Sequence, residues 1–489
     1  MTALRLYLLC AYALTLLISY TPPIQAQAKV KSTFRAGAAT SNITPLMGVP
    51  LDGTIMQIGP AKDVHDELHA RCLVLDDGKT RLAFAVIDNT MVSREVYQQA
   101  KKLVNQHTGI PIKNICISAT HTHSTPRAVV GLKPNSPEHK DYLNFLAIRI
   151  SDGIRRAVNR LAPAKIAWGS FQEPRYVHNR RRFLKEQFLA ANKNPFGIGG
   201  EIVSMNANAQ KADKEAGPTD PEVFVLSLQH NDGRPLAVFA NYSLHYIGGV
   251  PGGTVSADYY GVFADRIQQL LQADRQKPAF VGIMSNGTSG DINANALGQK
   301  RVKYAAYERM TLVANDLAAG TAKLVKSLEH HSDITLAAAA KELELKVRKP
   351  DQKRIDWANK SKVAADHQGR LTRPQIYARE ALFLADFPNT VQVPLQAFRI
   401  GDLVIAQSPC ETFAETGLAI KKASPSSKQT FTIELANGYF GYLPSPQQFI
   451  WGGYETWPAR SSFLEEQAEP KIRASLIDLI KQLHQKPQP

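Results

Sequence analysis

The sequence predicts an α/β fold of mixed β-sheets flanked by helices, and three observations carry that expectation. Stretches of period-two hydrophobicity alternate with stretches of helical period, two hairpin patterns interrupt the alternation, and the composition suits a chain with a large core. Apolar residues make up 44% and charged residues 21% of 489 positions, as in globular proteins generally. The length allows one large α/β domain or two. No low-complexity linker marks a boundary, so residues 29–489 read as a single domain.

Residues 68–75 and 81–87 flank the turn Asp76-Asp77-Gly78-Lys79 as a hairpin. Residues 93–106 form an amphipathic pattern with Ser93 as its cap, and 112–119 read as a short strand delivering Thr120-His121-Thr122-His123. A helix over 141–160 and a strand over 164–171 follow. Residues 183–220 are rich in Asn, Lys, Gly and Ala without a clean period, which suggests a long insertion or lid. A second hairpin, 222–229 and 236–240 about Asn231-Asp232-Gly233, runs into His245. A helix near 259–271 leads to a strand at 279–284 that ends in a Gly-rich loop. Residues 304–328 are helical, 334–347 alternate as a strand, and 351–386 are polar and mostly helical. Strands at 391–398 and 403–406 close on Ser408-Pro409-Cys410-Glu411. A strand near 430–435, an aromatic loop and a helix over 463–483 complete the chain, in which no internal repeat is visible.

The N-terminus carries Arg5, an apolar run over 6–20 and small residues at Ala26 and Ala28, the pattern of a cleaved signal peptide over 1–28. The run is short of the roughly 20 residues that span a bilayer. The mature protein is therefore expected to be exported, periplasmic or secreted. Cys72, Cys116 and Cys410 have no metal-like spacing and read as three buried thiols. The formal charge of +15 is diffuse apart from Arg180-Arg181-Arg182. It reads first as solvated surface charge and leaves peripheral contact with an anionic membrane open, whereas nucleic-acid binding needs a basic face interleaved with aromatics and is not expected.

His121 and His123 stand at i and i+2, which on an extended strand end project to the same side and can converge on a metal. Two surface histidines would look the same. What shifts the balance is that His245, the 285–295 loop and Glu411 also follow expected strands, and α/β active sites gather at strand C-termini. Two histidines and a carboxylate suit catalytic zinc with an open position for water.

At these residues the chain resembles the catalytic domain of the neutral (alkaline, non-lysosomal) ceramidases. The matching segments are Ala39-Thr40-Ser41-Asn42-Ile43-Thr44-Pro45, Val64-His65-Asp66-Glu67-Leu68-His69-Ala70-Arg71, Ser118-Ala119-Thr120-His121-Thr122-His123-Ser124, Gly290-Asp291, Pro409-Cys410-Glu411, and Gly441-Tyr442 with Tyr454-Glu455. The resemblance implies one zinc ion per chain held by His121, His245, Glu411 and Tyr442. It implies that His123, Arg180 and Tyr454 contact the substrate or transition state, and that the substrate is an N-acyl lipid such as ceramide or another acyl amide. From the residues alone, Tyr442 reads as a packed aromatic.

Three departures accompany the resemblance. Asn293 stands where the ceramidases carry a serine, and an amide is no nucleophile. The family's C-terminal β-sandwich has no counterpart before the sequence stops. After Arg180, Arg181-Arg182 replaces the family's Ser-Pro. Asp291 reads either as a residue orienting a ligand histidine or as a turn former, and Asp88 has the same ambiguity. His65, His69 and His178 read as surface or hydrogen-bonded structural histidines.

Three rival readings remain: a zinc amidase or esterase on other acyl compounds, an amidohydrolase barrel, and a non-catalytic exported binding protein that keeps the fold. The barrel needs eight uninterrupted βα units, which the hairpins break. The binding protein predicts no stoichiometric zinc.

Overall fold

The computed structural model describes residues 34–53, 56–129, 137–299, 302–363 and 371–485. The signal segment lies outside them. Strands β1 (Arg35–Asn42), β2 (His69–Asp76) and β3 (Arg81–Ile87) form an antiparallel meander. Helix α1 (Arg94–Thr108) then crosses over to β4 (Ile115–Ala119), which lies parallel to β3. Val96, Tyr97, Ala100 and Val104 form the buried stripe of α1, and Gly109 ends it in the left-handed conformation, φ 71°. Ser93 occupies the cap position without donating or accepting a capping bond through its side chain. The expected strand over 112–119 begins instead with a 3-10 turn, Ile112–Asn114.

Helix α2 (Pro137–Asn159) leads to the same succession again. Strands β5 (Ala162–Gln172), β6 (Glu222–His230) and β7 (Pro235–Tyr242) are antiparallel, α3 (Asp258–Leu270) crosses over, and β8 (Val281–Asn286) lies parallel to β7. After α4 (Glu308–Val325) comes a third round. It consists of β9 (Leu336–Lys346), the inserted helices α5 (Gln352–Ser361) and α6 (Arg373–Ala385), then β10 (Thr390–Ile400) and β11 (Leu403–Gln407). Crossover helix α7 (Ala414–Ala423) precedes β12 (Thr430–Ile433), parallel to β11, and α8 (Pro446–Trp451) and α9 (Ala468–Gln485) follow.

Each round pairs antiparallel, antiparallel, parallel, with a helix in the last crossover. The chain is thus a threefold repeat of topology that its sequence does not display. What recurs is a succession of apolar, buried strands, which many unrelated residues satisfy. The first two rounds share one ladder, β8-β7-β6-β5-β1-β2-β3-β4, joined between β1 and β5 only through Arg35 with Pro163 and Ala36 with Ala162.

Alternation gives every layer two apolar faces. Leu73, Phe84, Phe224, Phe239, Phe398 and Phe431 point into one shared core. Phe84 meets Phe239 at 5.5 Å and Phe398 at 5.2 Å between ring centroids, so the three layers touch through aromatic contacts. Burial of each such ring contributes about 2–3 kcal/mol. The opposite faces pack on helices, as Cys72, Val74 and Ala85 do with the residues of α1 and α2, and Val225, Val238 and Ala240 with those of α3 and α4.

The segment expected as an insertion or lid contains a small antiparallel sheet, with Arg181–Leu184 between Val203–Met205 and Ala212–Glu215. It leaves the long connection between the first and second strands of its repeat. Cys72, Cys116 and Cys410 are buried free thiols, as the sequence suggested.

Candidate metal centre

The site lies where strand ends of all three repeats meet. His121 follows β4, His245 follows β7 and Glu411 follows β11, so the clustering expected from sequence is realised. The extended geometry expected for the His-x-His pair is not. His121 has φ 71°, a left-handed backbone that costs a non-glycine residue of order 1–3 kcal/mol and persists only where its surroundings enforce it. The enforcing contacts are His121 N donating to Asn89 O at 2.9 Å and His121 Nδ1 donating to Thr90 O at 2.7 Å. A turn, not a pleat, brings His123 Nε2 to 3.3 Å from His121 Nε2.

His245 is anchored in the same manner, Nδ1 donating to Ser289 O at 3.0 Å. A carbonyl only accepts, so both Nδ1 atoms carry hydrogen and the Nε2 lone pairs are left to face each other, 3.1 Å apart. Burial, followed by Arg180, His121 and His123, holds His245 well below the ordinary histidine pKa. Glu411 turns Oε2 to within 3.2 Å of His121 Nε2, and that oxygen has no hydrogen-bond partner. Its other oxygen, Oε1, accepts from the Tyr439 hydroxyl at 3.0 Å.

Three acceptor atoms thus converge in a fully buried place. Such an arrangement is repulsive by itself and becomes favourable around a cation, so the residues present fit a metal ion. The imidazole atoms of His121, His123 and His245 also lie within 4.8 Å of one another, so His123 stands beside the same seat.

Tyr442 reaches the site by sheet pairing. The short strands Glu411–Thr412 and Tyr442–Leu443 are parallel, with Glu411 and Tyr442 in register. Gly441 precedes it at φ 77°, packed on the Ser461 backbone, where a side chain would clash. Burial and the Glu411 carboxylate push the Tyr442 phenol well above its usual pKa, although Arg180 opposes them. Tyr454 packs edge-on to Tyr442 at 5.7 Å, and burial beside Glu411 raises its pKa too.

Arg180 is buried over the Tyr442 ring. It donates through Nη1 to His245 Nε2 at 3.2 Å, through Nε to Glu455 at 2.9 Å and through Nη2 to Gly290 O at 2.8 Å. Burial disfavours its charge, but Tyr442, Glu455 and Glu411 outweigh that and keep the pKa well above the usual range. Arg181, in the family's serine position, is fully buried. It donates to Glu455 Oε2 at 2.6 Å, Gln448 Oε1 at 2.8 Å and Gly452 O at 2.6 Å.

His123 is stacked on Tyr246 at 3.7 Å and 14° between planes. Burial, then His121, Arg180 and Arg127, hold its pKa well below the ordinary value. All seven residues singled out from sequence, His121, His123, Arg180, His245, Glu411, Tyr442 and Tyr454, therefore belong to one cluster.

Other expectations resolve differently. Asp291 does not touch a histidine. Its carboxylate accepts from Asn179 Nδ2 at 2.6 Å and from Ala414 N at 2.9 Å, which ties the residue before Arg180 to the start of α7. Asp88 pairs with Arg71 Nη1 at 2.5 Å. Asn293 donates to Asn206 Oδ1 at 2.6 Å and accepts from Asn295 N at 2.9 Å, so its side chain is used within its own loop and the insertion. His65 stacks on Tyr307 at 3.6 Å, while His69 and His178 bond to backbone carbonyls. Tyr439, Tyr246, Ser289, Glu434 and Glu455 are site residues that sequence reasoning assigned no role. Only Glu455 gave a signal, as part of the Tyr454-Glu455 match.

The family model described as neutral/alkaline non-lysosomal ceramidase, N-terminal, matches residues 34–311. That span holds His121, His123, Arg180 and His245 and ends before Glu411. Among solved structures, the neutral ceramidase of Pseudomonas aeruginosa aligns with a TM-score of 0.67, covering 94% of this chain and 76% of its own, at 18% identity. A ceramidase complexed with C2 aligns with a TM-score of 0.66, covering 93% and 76%, at 17% identity. At these identities the two structures establish a common fold.

Proposed function

The chain belongs to the neutral/alkaline non-lysosomal ceramidase family, and from that premise we propose that it is an exported zinc-dependent hydrolase cleaving the amide bond of a ceramide-like N-acyl lipid. The observation that carries this reading is the convergence of His121 Nε2, His245 Nε2 and the unpaired Glu411 Oε2 in a buried seat. Tyr442, in register with Glu411, is the proposed fourth ligand.

When bound there, zinc lowers the pKa of a water to about 7 and polarises an acyl carbonyl. The neighbouring side chains do the rest. His123 is kept neutral by its surroundings, so it can take a proton from the attacking water and hand it to the departing amine. Tyr246 holds the ring in place by stacking. Tyr454, held protonated, and Arg180, held charged, are donors for the oxyanion, contributions typically worth about 3 kcal/mol each. Glu455 fixes Arg180 for that task.

The signal-like N-terminus supports export, and the +15 charge supports peripheral contact with an anionic lipid surface. No helix among the described residues is long and apolar enough to cross a membrane. The domain reading is a single catalytic unit over 29–489, with 183–220 as an insertion or lid.

Metal analysis of wild type beside His121→Ala and Glu411→Ala tests the site, and full zinc occupancy in both variants would overturn it. One observation favours a second reading, a zinc amidase or esterase on other acyl compounds. Asn293 replaces the family serine, and its amide is already engaged by Asn206. A panel of ceramides, N-acyl amino acids and O-acyl esters separates the two, since turnover of ceramide as the best substrate removes the second.

A further inference from the structure

Glu434 is a fully buried carboxylate at the end of β12, outside the proposed ligand set and in none of the sequence motifs. It accepts from three donors. Ser289 Oγ lies at 2.6 Å from Oε1, while Ser289 N at 3.2 Å and Thr412 N at 2.8 Å share Oε2.

Those donors sit next to two metal ligands from different repeats. Ser289 presents its carbonyl to His245 Nδ1 at 3.0 Å, and its hydroxyl oxygen lies 3.3 Å from the same atom. Because the Ser289 hydroxyl hydrogen is committed to Glu434, the serine offers only acceptors to the imidazole. That enforces Nδ1–H and leaves Nε2 as an acceptor facing His121 and Arg180. Thr412 follows Glu411 directly, so its N–H anchor fixes the main chain that carries the ligand carboxylate.

The backbone around Glu434 extends the same tie to the first repeat. Glu434 N donates to Asn286 O at 3.2 Å, Leu435 N to Cys410 O at 3.3 Å, and Ala119 N, two residues before His121, to Leu435 O at 3.3 Å. One strand end therefore touches the loop that anchors His245 and the two segments that deliver Glu411 and His121.

We propose that Glu434 is a positioning residue that fixes the separation and orientation of His245 and Glu411 through Ser289 and Thr412, and so sets the affinity and coordination geometry of the metal. This inference rests on the metal site proposed above. Glu434→Gln conserves shape but turns an amide NH2 toward a donor on one side, so one of the two ties is lost.

The test uses the full chain, stripped of metal and titrated with zinc against a chelator, and with cobalt(II) for its visible absorption. Glu434→Gln is expected to weaken zinc binding by about 10- to 100-fold and to change the cobalt band shape, which a purely structural role would leave alone. Ser289→Ala guards against a variant that fails to fold. It is expected to shift the cobalt spectrum in the same direction, and Ser289→Thr, which keeps the hydroxyl, is expected to restore it. Wild-type affinity and an unchanged cobalt spectrum in Glu434→Gln, or in Ser289→Ala where the first does not fold, would overturn the proposal. Failure of the wild type itself to bind zinc or cobalt would overturn the underlying metal reading instead.

Discussion

His121 Nε2 and Glu411 Oε2 face each other across 3.2 Å, both side chains fully shielded from solvent. A cation between them removes the repulsion, so zinc is expected to stabilise the fold. Saturation at a hundred times Kd contributes about 2.7 kcal/mol. Thermal unfolding with and without zinc should show a rise in Tm for wild type and none for His121→Ala or Glu411→Ala. An equal rise in all three would rule out this seat.

Tyr439 holds Glu411 Oε1 and thereby aims Oε2 inward. Tyr439→Phe keeps the ring packing and removes only the hydroxyl. Zinc affinity is expected to fall about tenfold, with the metal-free melting temperature changed by no more than a few degrees. Unaltered affinity in a chelator competition would show that the hydroxyl does not orient the ligand.

Arg181 and Arg180 share Glu455, one on each carboxylate oxygen. Arg181→Met leaves that fully buried carboxylate with one of its two arginine partners, a loss of about 3–5 kcal/mol by the usual behaviour of broken buried pairs. Urea unfolding should show it, and the double variant Arg181→Met with Glu455→Gln should recover part. Strict additivity would mean that the two side chains are not coupled.

Burial raises the Asp291 pKa from 3.8 to about 7 despite the opposing bonds from Ala414 and Asn179. The unfolded chain releases this proton near pH 4, whereas the folded chain keeps it until about pH 7. Folding therefore takes up a proton between those values. The stability that comes with the neutral carboxyl is full below about pH 4 and is lost as pH rises toward 7, at up to about 1.4 kcal/mol per pH unit. Asp291→Asn should flatten the fall in unfolding free energy over that window. Parallel pH profiles for the two proteins would remove the assignment.

The strands and helices were legible because burial on two faces writes near-continuous apolar runs directly into the sequence, as in β6 and β7. Boundaries shifted where polar chemistry took over, as at Ile112–Asn114. The threefold topology was not legible, because equivalent strand ends carry different residues: Thr120-His121 after β4, Gly287 after β8 and Glu434 after β12. His121, His245 and Glu411 stood out because each follows a strand. Tyr442 came from resemblance alone, since register with Glu411 is a property of pairing and not of sequence. Tyr439 looks like any packed aromatic, and Glu434 sat at the end of an apolar strand that was read through it.

The arrangement of repeats also fixes when the centre can come into being. Its proposed ligands are numbered 121, 245, 411 and 442 in a chain of 489, so no single third of the polypeptide holds a working set. A ribosome that has released only the first two repeats has made both ligand histidines and neither oxygen ligand. On the proposed ligand set, metal capture becomes a late event, dependent on assembly of the last repeat, and a bound ion reports that all three repeats have been made and brought together.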